Sequence, residues 1–271
     1  MKRLLTTCLL LLAGLGMTAA QAATSSAQAS KLMDISGMSA QIDEIPLMIG
    51  MTLQQQQAQL QMPDWQLQTL SDALQAGFDP EPMKADIRAH LESTLDAADA
   101  KVALAWLESP LGQRATELEG RAGLPAVQQE VMRRLQTGDE GDLSAERQAL
   151  IERFDDATGA SDMSVEMVMG IQRGMLTAIL SAAGAPAEQL DAALGQIAGA
   201  RGQIAAAVEA QNQATFAVVY RDLSDAEMKE YVAFAESESG RAYHQAMLSG
   251  FAKAMEAAAA RSGEAIAAAA Q

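Results

Sequence analysis

Residues 95–112, LDAADAKVALAWLESPLG, decide the fold because they recur in diverged form as residues 223–240, LSDAEMKEYVAFAESESG. The two stretches align without gaps, and seven of their eighteen positions are identical. Both are rich in residues that favour helix, and both end in the motif aromatic-x-x-Ser-x-x-Gly. A serine in this position is typical of the cap that begins a new helix. We therefore predict two copies of a helix–corner–helix element, whose motif residues are Trp106, Ser109 and Gly112 in the first copy and Phe234, Ser237 and Gly240 in the second.

Each residue of the motif has a predicted structural role. The aromatic ring anchors the end of one helix in the core, and the serine hydroxyl accepts a hydrogen bond from a free backbone N–H of the next helix. The glycine removes a side chain where two helices approach closely. A nucleophilic serine is the alternative interpretation, but the sequence pairs no histidine with both copies. We therefore assign the motif to the fold and predict no catalytic residue.

A second match supports an internal repeat. Residues 34–37, DISG, resemble residues 156–159, DATG, and the two pairs of matches occur in the same order along the chain. We predict a first helical repeat unit over residues 23–137, a polar linker at residues 138–142, GDEGD, and a second unit over residues 143–271. The pattern leaves open whether the units are separate domains or one interleaved bundle.

Composition and helix caps predict an all-α protein. The chain is rich in Ala, Leu, Gln, Glu and Met and contains 4% aromatic residues, and no segment alternates apolar and polar residues as a strand does. Helix starts are indicated at Asp79-Pro80 and at Ser224, and another helix runs from Ser144 to about Gly159. We expect a bundle of about nine or ten helices in two pseudo-repeated halves.

The first 22 residues have the three parts of a secretion signal. Lys2 and Arg3 precede an apolar run at residues 4–15, and Ala20-Gln21-Ala22 fits the small-x-small rule for cleavage. The run is too short to span a bilayer, which needs about 20 apolar residues. We therefore predict cleavage after Ala22, no membrane span in the mature chain, and a location in the bacterial periplasm.

Charge and cysteine content limit the classes of function. Removal of residues 1–22 takes away two basic residues and the single cysteine, which leaves 17 basic residues, 35 acidic residues and a formal charge of −18. Such a surface repels nucleic acid, whose binding depends on Lys and Arg at the phosphates. We therefore exclude nucleic acid as a partner, and the mature core holds its fold without disulfides.

At the two corners the chain resembles the domain of unknown function 2059 family of exported bacterial proteins. Its members carry an acid-rich helix start followed by an aromatic-x-x-Ser-Pro-x-Gly corner. The first copy keeps the proline, Pro110, but has Asp99 where the family has glutamate, and the second copy keeps Glu227 but lacks the proline. The resemblance implies a helical fold and an envelope location, and it implies no catalytic residues.

Other residue clusters fall short of a metal or cofactor site. The two histidines, His90 and His244, do not occupy equivalent repeat positions, and neither has the ligand spacing of a zinc site. Met163 and Met167 share a helix face, but methionines more often fill helical cores than bind copper. Residues 155–166 begin and end with acids but lack the inner ligands of a calcium loop. We predict no metal and no cofactor.

Three functions remain in order of preference. The first is a non-enzymatic protein-interaction module of the bacterial envelope, with another envelope protein or a second copy of this chain as its partner. The second is a carrier of an apolar small molecule or lipid between helices. The third is an enzyme of an unrecognised type that uses the corner carboxylates Glu108 and Glu236.

Overall fold

The computed structural model describes residues 23–60, 63–137, 143–182 and 184–269, and it confirms the all-α prediction for them. Their only extended pairing is an isolated bridge between Ala23 and Asp96. The described residues form twelve α-helices and a short 3-10 helix, Tyr220–Asp222. The α-helices are α1 (Ser26–Ile35), α2 (Met38–Leu60), α3 (Asp64–Gly77), α4 (Pro80–Thr94), α5 (Ala97–Leu107), α6 (Pro110–Glu119), α7 (Pro125–Thr137), α8 (Ala145–Thr158), α9 (Ala160–Ala182), α10 (Ala187–Val219), α11 (Asp225–Glu236) and α12 (Glu238–Ala269).

Two of the predicted segments fall outside these ranges. The signal peptide, residues 1–22, and the linker, residues 138–142, lie outside the described residues. Among the described helices, none is long and apolar enough to cross a membrane.

The helix ends predicted from caps are confirmed. The Ser144 hydroxyl accepts a hydrogen bond from the Arg147 backbone N–H, and α8 ends where Gly159 adopts the left-handed conformation with φ 65°. Ser224 and Glu227 form a reciprocal capping box at the start of α11. Asp79 caps α4, which begins at Pro80, as predicted. The described residues form more helices than the nine or ten expected.

The two halves share a packing order. In the first half α1 contacts α2, α4 and α5, and in the second half α8 contacts α9, α10 and α11. The turn between α1 and α2 lies at Gly37, with φ 81°, and the turn between α8 and α9 lies at Gly159, with φ 65°. Gly37 and Gly159 are the last residues of the matched stretches DISG and DATG. Both adopt the left-handed conformation, which favours glycine.

The halves interleave in one bundle. Helix α12 packs against α3, α4 and α5 of the first half as well as against α9, and α7 packs against α10 of the second half. One continuous core contains Leu32, Phe78 and Ile87 from the first half with Met228 and Phe251 from the second. Helices on the two sides of residues 138–142 therefore share this core.

Candidate functional site

The two corners have the same local geometry. The Ser109 hydroxyl accepts a hydrogen bond from the Gly112 N–H at 3.0 Å, and Ser237 accepts one from Gly240 at the same distance. A Cβ atom on Gly112 would lie 2.1 Å from the carbonyl oxygen at the end of α5, and on Gly240 it would lie 1.9 Å from the equivalent oxygen of α11. The helices that approach closely at each glycine are therefore the two consecutive helices of the corner.

The residue after each motif glycine makes the same kind of hydrogen bond in both corners. Gln113 Nε2 donates to the Glu108 carbonyl oxygen at 2.8 Å, and Arg241 Nε donates to the Glu236 carbonyl oxygen at 2.9 Å. Both donors come directly after the motif glycine, and each satisfies a carbonyl that the end of the preceding helix leaves free. Two different side chains thus close the two corners in the same way.

The corner carboxylates lie in ion pairs near the surface. Glu108 pairs with Lys31, and Glu236 pairs with Arg153 at 2.6 Å. The hydrogen bond from Arg153 lowers the pKa of Glu236 below its ordinary value. A carboxylate held ionised by a neighbouring cation is a poor general acid, so the pairing of Glu236 with Arg153 gives no support to general-acid catalysis by Glu236.

The aromatic residues of the two motifs contact each other. The rings of Trp106 and Phe234 stack with centroids 4.4 Å apart and an interplanar angle of 5°. Tyr231 also stacks on Trp106 at 4.4 Å, and its ring contacts Phe154 edge-on at 4.5 Å. Such contacts add to the stabilisation from area burial, and they join the corner of one half to the corner of the other.

A cavity of about 370 Å³ lies beside this aromatic stack, and we call it the central cavity. Helices of both halves form its wall, and its lining is mainly apolar, with aromatic and methionine side chains beside several polar ones. Aromatic lining residues are all three tyrosines of the chain, Tyr220, Tyr231 and Tyr243, together with Trp106, Phe154, Phe216 and Phe234. The methionines are Met38, Met163, Met167 and Met247.

Glu119, at the end of α6, brings a carboxylate to the central cavity. Its Oε1 atom accepts hydrogen bonds from the hydroxyls of Tyr220 at 2.7 Å and Tyr231 at 2.8 Å. Burial raises the pKa of Glu119, and the two tyrosine hydrogen bonds oppose that effect. The side chain is partly buried and faces the cavity.

His244 also lines the central cavity. Its ring lies 4.8 Å from that of Tyr243, and its Nε2 atom is buried without a hydrogen-bond partner among the described residues. Burial lowers the pKa of His244 to about 4, so its imidazole is neutral at pH 7. The Nε1 atom of Trp106 is likewise buried without a partner in the described part of the chain.

The other histidine, His90, links α4 to α12. Its Nδ1 accepts a hydrogen bond from Lys253 Nζ at 3.3 Å, which leaves the ring proton on Nε2, 2.8 Å from Ser249 Oγ. The Ser249 hydroxyl donates in turn to the Gln245 carbonyl oxygen at 2.8 Å. In this arrangement the histidine is the donor and the serine the acceptor, so the pair is not arranged as a nucleophile with its base.

The clusters considered for metals have other roles in the structure. Asp155 caps α9 by accepting hydrogen bonds from the backbone N–H and the hydroxyl of Ser161, at 2.8 and 2.6 Å. Met163 and Met167 line the central cavity. Within the described ranges, no three His, Cys, Asp or Glu side chains are placed to hold a metal ion.

One segment of the chain matches a known protein family. Residues 81–137 match the family described as "Uncharacterized protein conserved in bacteria (DUF2059)". The matched segment spans α4 to α7, so it contains the first corner and Glu119, and it does not reach the second corner. No significant match is found among curated proteins or solved structures.

Sequence reasoning identified Trp106 and Phe234 of the stack but missed Glu119, and it assigned the tyrosines no place in a site. The sequence did indicate that Glu119 faces inward, because it follows Ala115 by four residues and therefore lies on the same face of α6. The tyrosines had a weaker signal, namely that all three lie within residues 220–243. The positions of Glu119 and of the tyrosines along the chain do not indicate that these side chains lie close together.

Proposed function

We propose that the protein binds a small, largely apolar molecule in the central cavity. The observation that carries this proposal is the cavity itself, whose volume of about 370 Å³ lies within the range of small-molecule sites. Its mainly apolar lining, with aromatic and methionine side chains beside several polar ones, suits such a ligand. Of the three functions predicted from the sequence, the geometry therefore favours the second, a carrier of an apolar small molecule or lipid.

We also propose that the chain consists of two diverged copies, residues 23–137 and 143–271, joined by residues 138–142. The support is the matching geometry of the two corners and of the two left-handed turns. On this proposal the central cavity lies where the two copies meet, around the stack of Trp106 on Phe234.

Export to the periplasm remains part of the proposal. Its support is the three-part pattern of residues 1–22. The negative charge of the chain likewise disfavours nucleic acid as a partner.

The interaction with another envelope protein, or with a second copy of this chain, stays a prediction. Apolar side chains on α2 and α7 are exposed, with Leu47 at 66% and Met132 at 50%. Light scattering on the purified protein, and on Leu47→Lys and Met132→Lys variants, would show whether these side chains hold an assembly together.

A binding titration tests the small-molecule proposal. The probe is N-phenyl-1-naphthylamine, a neutral apolar dye whose emission rises in apolar surroundings. We expect saturable binding of one dye per chain. Thr215→Phe should weaken this binding by at least about tenfold, because Thr215 lines the cavity and the added ring occupies its space.

Thr69→Phe is the matched control. The hydroxyls of Thr215 and Thr69 both donate only to the carbonyl oxygen four residues earlier in their own helix, at 2.8 and 2.9 Å. Thr69 is on α3 and does not line the cavity. Absence of saturable binding, or equal loss in both variants, would refute the proposed function.

A further inference from the structure

We propose that the ligand of the central cavity is a small organic cation, an amine with an aromatic or apolar body, and that Glu119 binds its ammonium group. This inference rests on the proposed function and specifies its ligand class. The hydrogen bonding of Glu119, the charges around it and the residues that line the cavity support this assignment.

Glu119 has unused hydrogen-bonding capacity. The hydroxyls of Tyr220 and Tyr231 both donate to Oε1, and none of the described residues donates to Oε2. An ionised carboxylate offers about four acceptor sites, so the second oxygen can accept from a ligand. The two tyrosines hold the carboxylate in one orientation, which prepares it for a donor that enters the cavity.

None of the lysines and arginines among the described residues forms an ion pair with this carboxylate. The cavity lining contains no Lys or Arg, and His244 is neutral at pH 7 because its pKa lies at about 4. The arginines nearest to Glu119 along the chain are occupied elsewhere, since Arg114 of α6 pairs with Glu227 at 2.6 Å and Arg121, just after α6, pairs with Glu117 at 2.5 Å. A buried carboxylate without a counter-ion is costly, and a bound ammonium group would supply that counter-ion.

The remaining lining suits the body of such a ligand. Aromatic rings tolerate a nearby cation because of the negative charge on their faces, and methionines adapt to apolar groups of different shape. Anionic ligands are disfavoured, because Glu119 would repel them and the whole chain carries a formal charge of −16. Charge and lining thus both favour an amine over a carboxylate or phosphate.

The test compares three probes of nearly equal size by isothermal titration calorimetry at pH 7: 2-phenylethylammonium, 2-phenylethanol and phenylacetate. We expect the ammonium probe to bind at least about tenfold more tightly than the alcohol, and phenylacetate to bind most weakly. In Glu119→Gln, which keeps an oxygen for the tyrosine hydroxyls, ammonium affinity should fall about tenfold while alcohol affinity stays within about twofold.

The outcomes separate this inference from the proposed function. Equal binding of the ammonium and alcohol probes, stronger binding of phenylacetate, or full ammonium affinity in Glu119→Gln would overturn the cation assignment. Each of these results would leave cavity binding intact if the naphthylamine dye still binds. If the three probes and the dye all fail to bind, both the proposed function and the cation assignment are refuted. The comparison of probes on the unmodified protein does not depend on how the variant folds.

Discussion

Gly240 illustrates how a single residue constrains the corner. A Cβ atom there would lie 1.9 Å from the Phe234 carbonyl oxygen, which is backbone and cannot rotate away. We expect Gly240→Ala to lower the free energy of unfolding by about 1–3 kcal/mol, the usual cost of overpacking. Ser237→Ala, which removes only the cap, should cost about 1 kcal/mol. Urea denaturation followed by circular dichroism measures both changes.

Gly50→Ala is the control for that prediction. Gly50 lies in α2 with no atom within 4 Å of its ideal Cβ position, so alanine fits there. An unfolding free energy of Gly240→Ala that equals that of the wild type would contradict the structural role assigned to the corner.

His244 gives the protein a predicted pH dependence. The imidazole has a pKa near 6.5 when the chain is unfolded and about 4 in the folded protein. Between these values the unfolded chain binds a proton that the folded chain does not bind. The free energy of unfolding should therefore fall as the pH falls from 6.5 to about 4, by up to about 3 kcal/mol.

Two measurements check this pH dependence. Titration of the imidazole resonances by NMR should place His244 near pH 4, and a His90→Asn variant assigns the two signals. Urea denaturation of His244→Leu at several pH values should show a smaller loss of stability than the wild type over the same interval. A His244 pKa near 6.5 would contradict the burial of this side chain.

At the scale of elements, α10 is the longest of the described helices, with 33 residues. Gly195, Gly199 and Gly202 lie within α10 with no atom within 4 Å of an added Cβ. Glycine inside a helix is less favourable than alanine, so Gly199→Ala should raise the free energy of unfolding by about 0.5–1 kcal/mol.

Thermal unfolding monitored by circular dichroism measures the effect of Gly199→Ala. The stabilisation requires that the glycine have no packing role, as the open space around it indicates. A lower melting temperature for this variant would show that α10 is contacted at this point by another part of the molecule.

Helix ends were predictable from the sequence because a few neighbouring residues determine them. Ser144 and Ser224 cap their helices within four residues of chain, and Gly159 ends α8 through its own backbone conformation. The pairing of helices was not predictable, because the apolar face of α12 does not indicate that it packs on α3, α4 and α5. Periodicity identifies a buried face without identifying what covers it.

The candidate site was predictable only in part, for the same reason. Trp106 and Phe234 were recognised as equivalent because they occupy the same place in a repeated motif. Their stacking, and the convergence of Glu119 with Tyr220 and Tyr231, depend on contacts between residues more than 100 positions apart. Such contacts arise from the tertiary arrangement, and local spacing does not encode them.

For the whole molecule, the interleaved halves predict mutual dependence. Helix α12 of the second half covers α3, α4 and α5, and α7 of the first half covers part of α10. A separate half would expose these apolar faces. We therefore expect residues 23–137 and 143–271, expressed as two chains in one cell, to purify as a one-to-one complex. Size-exclusion chromatography with light scattering would detect it.

Each half expressed alone should be poorly soluble or only partly folded by circular dichroism. Two halves that fold stably by themselves and do not associate would contradict the interleaved bundle. They would also argue against a cavity formed jointly by both halves.

The central claim is that a small molecule binds in the cavity between the two halves, and NMR of a protein labelled with ¹³C at its methionine methyl groups tests it most directly. Met38, Met163, Met167 and Met247 line the cavity, whereas Met132 lies on the outside of α7. On titration with N-phenyl-1-naphthylamine, we expect saturable chemical-shift changes of the four cavity methionine signals and an unchanged Met132 signal. Shifts confined to exposed methionines, or no shifts at all, would contradict it.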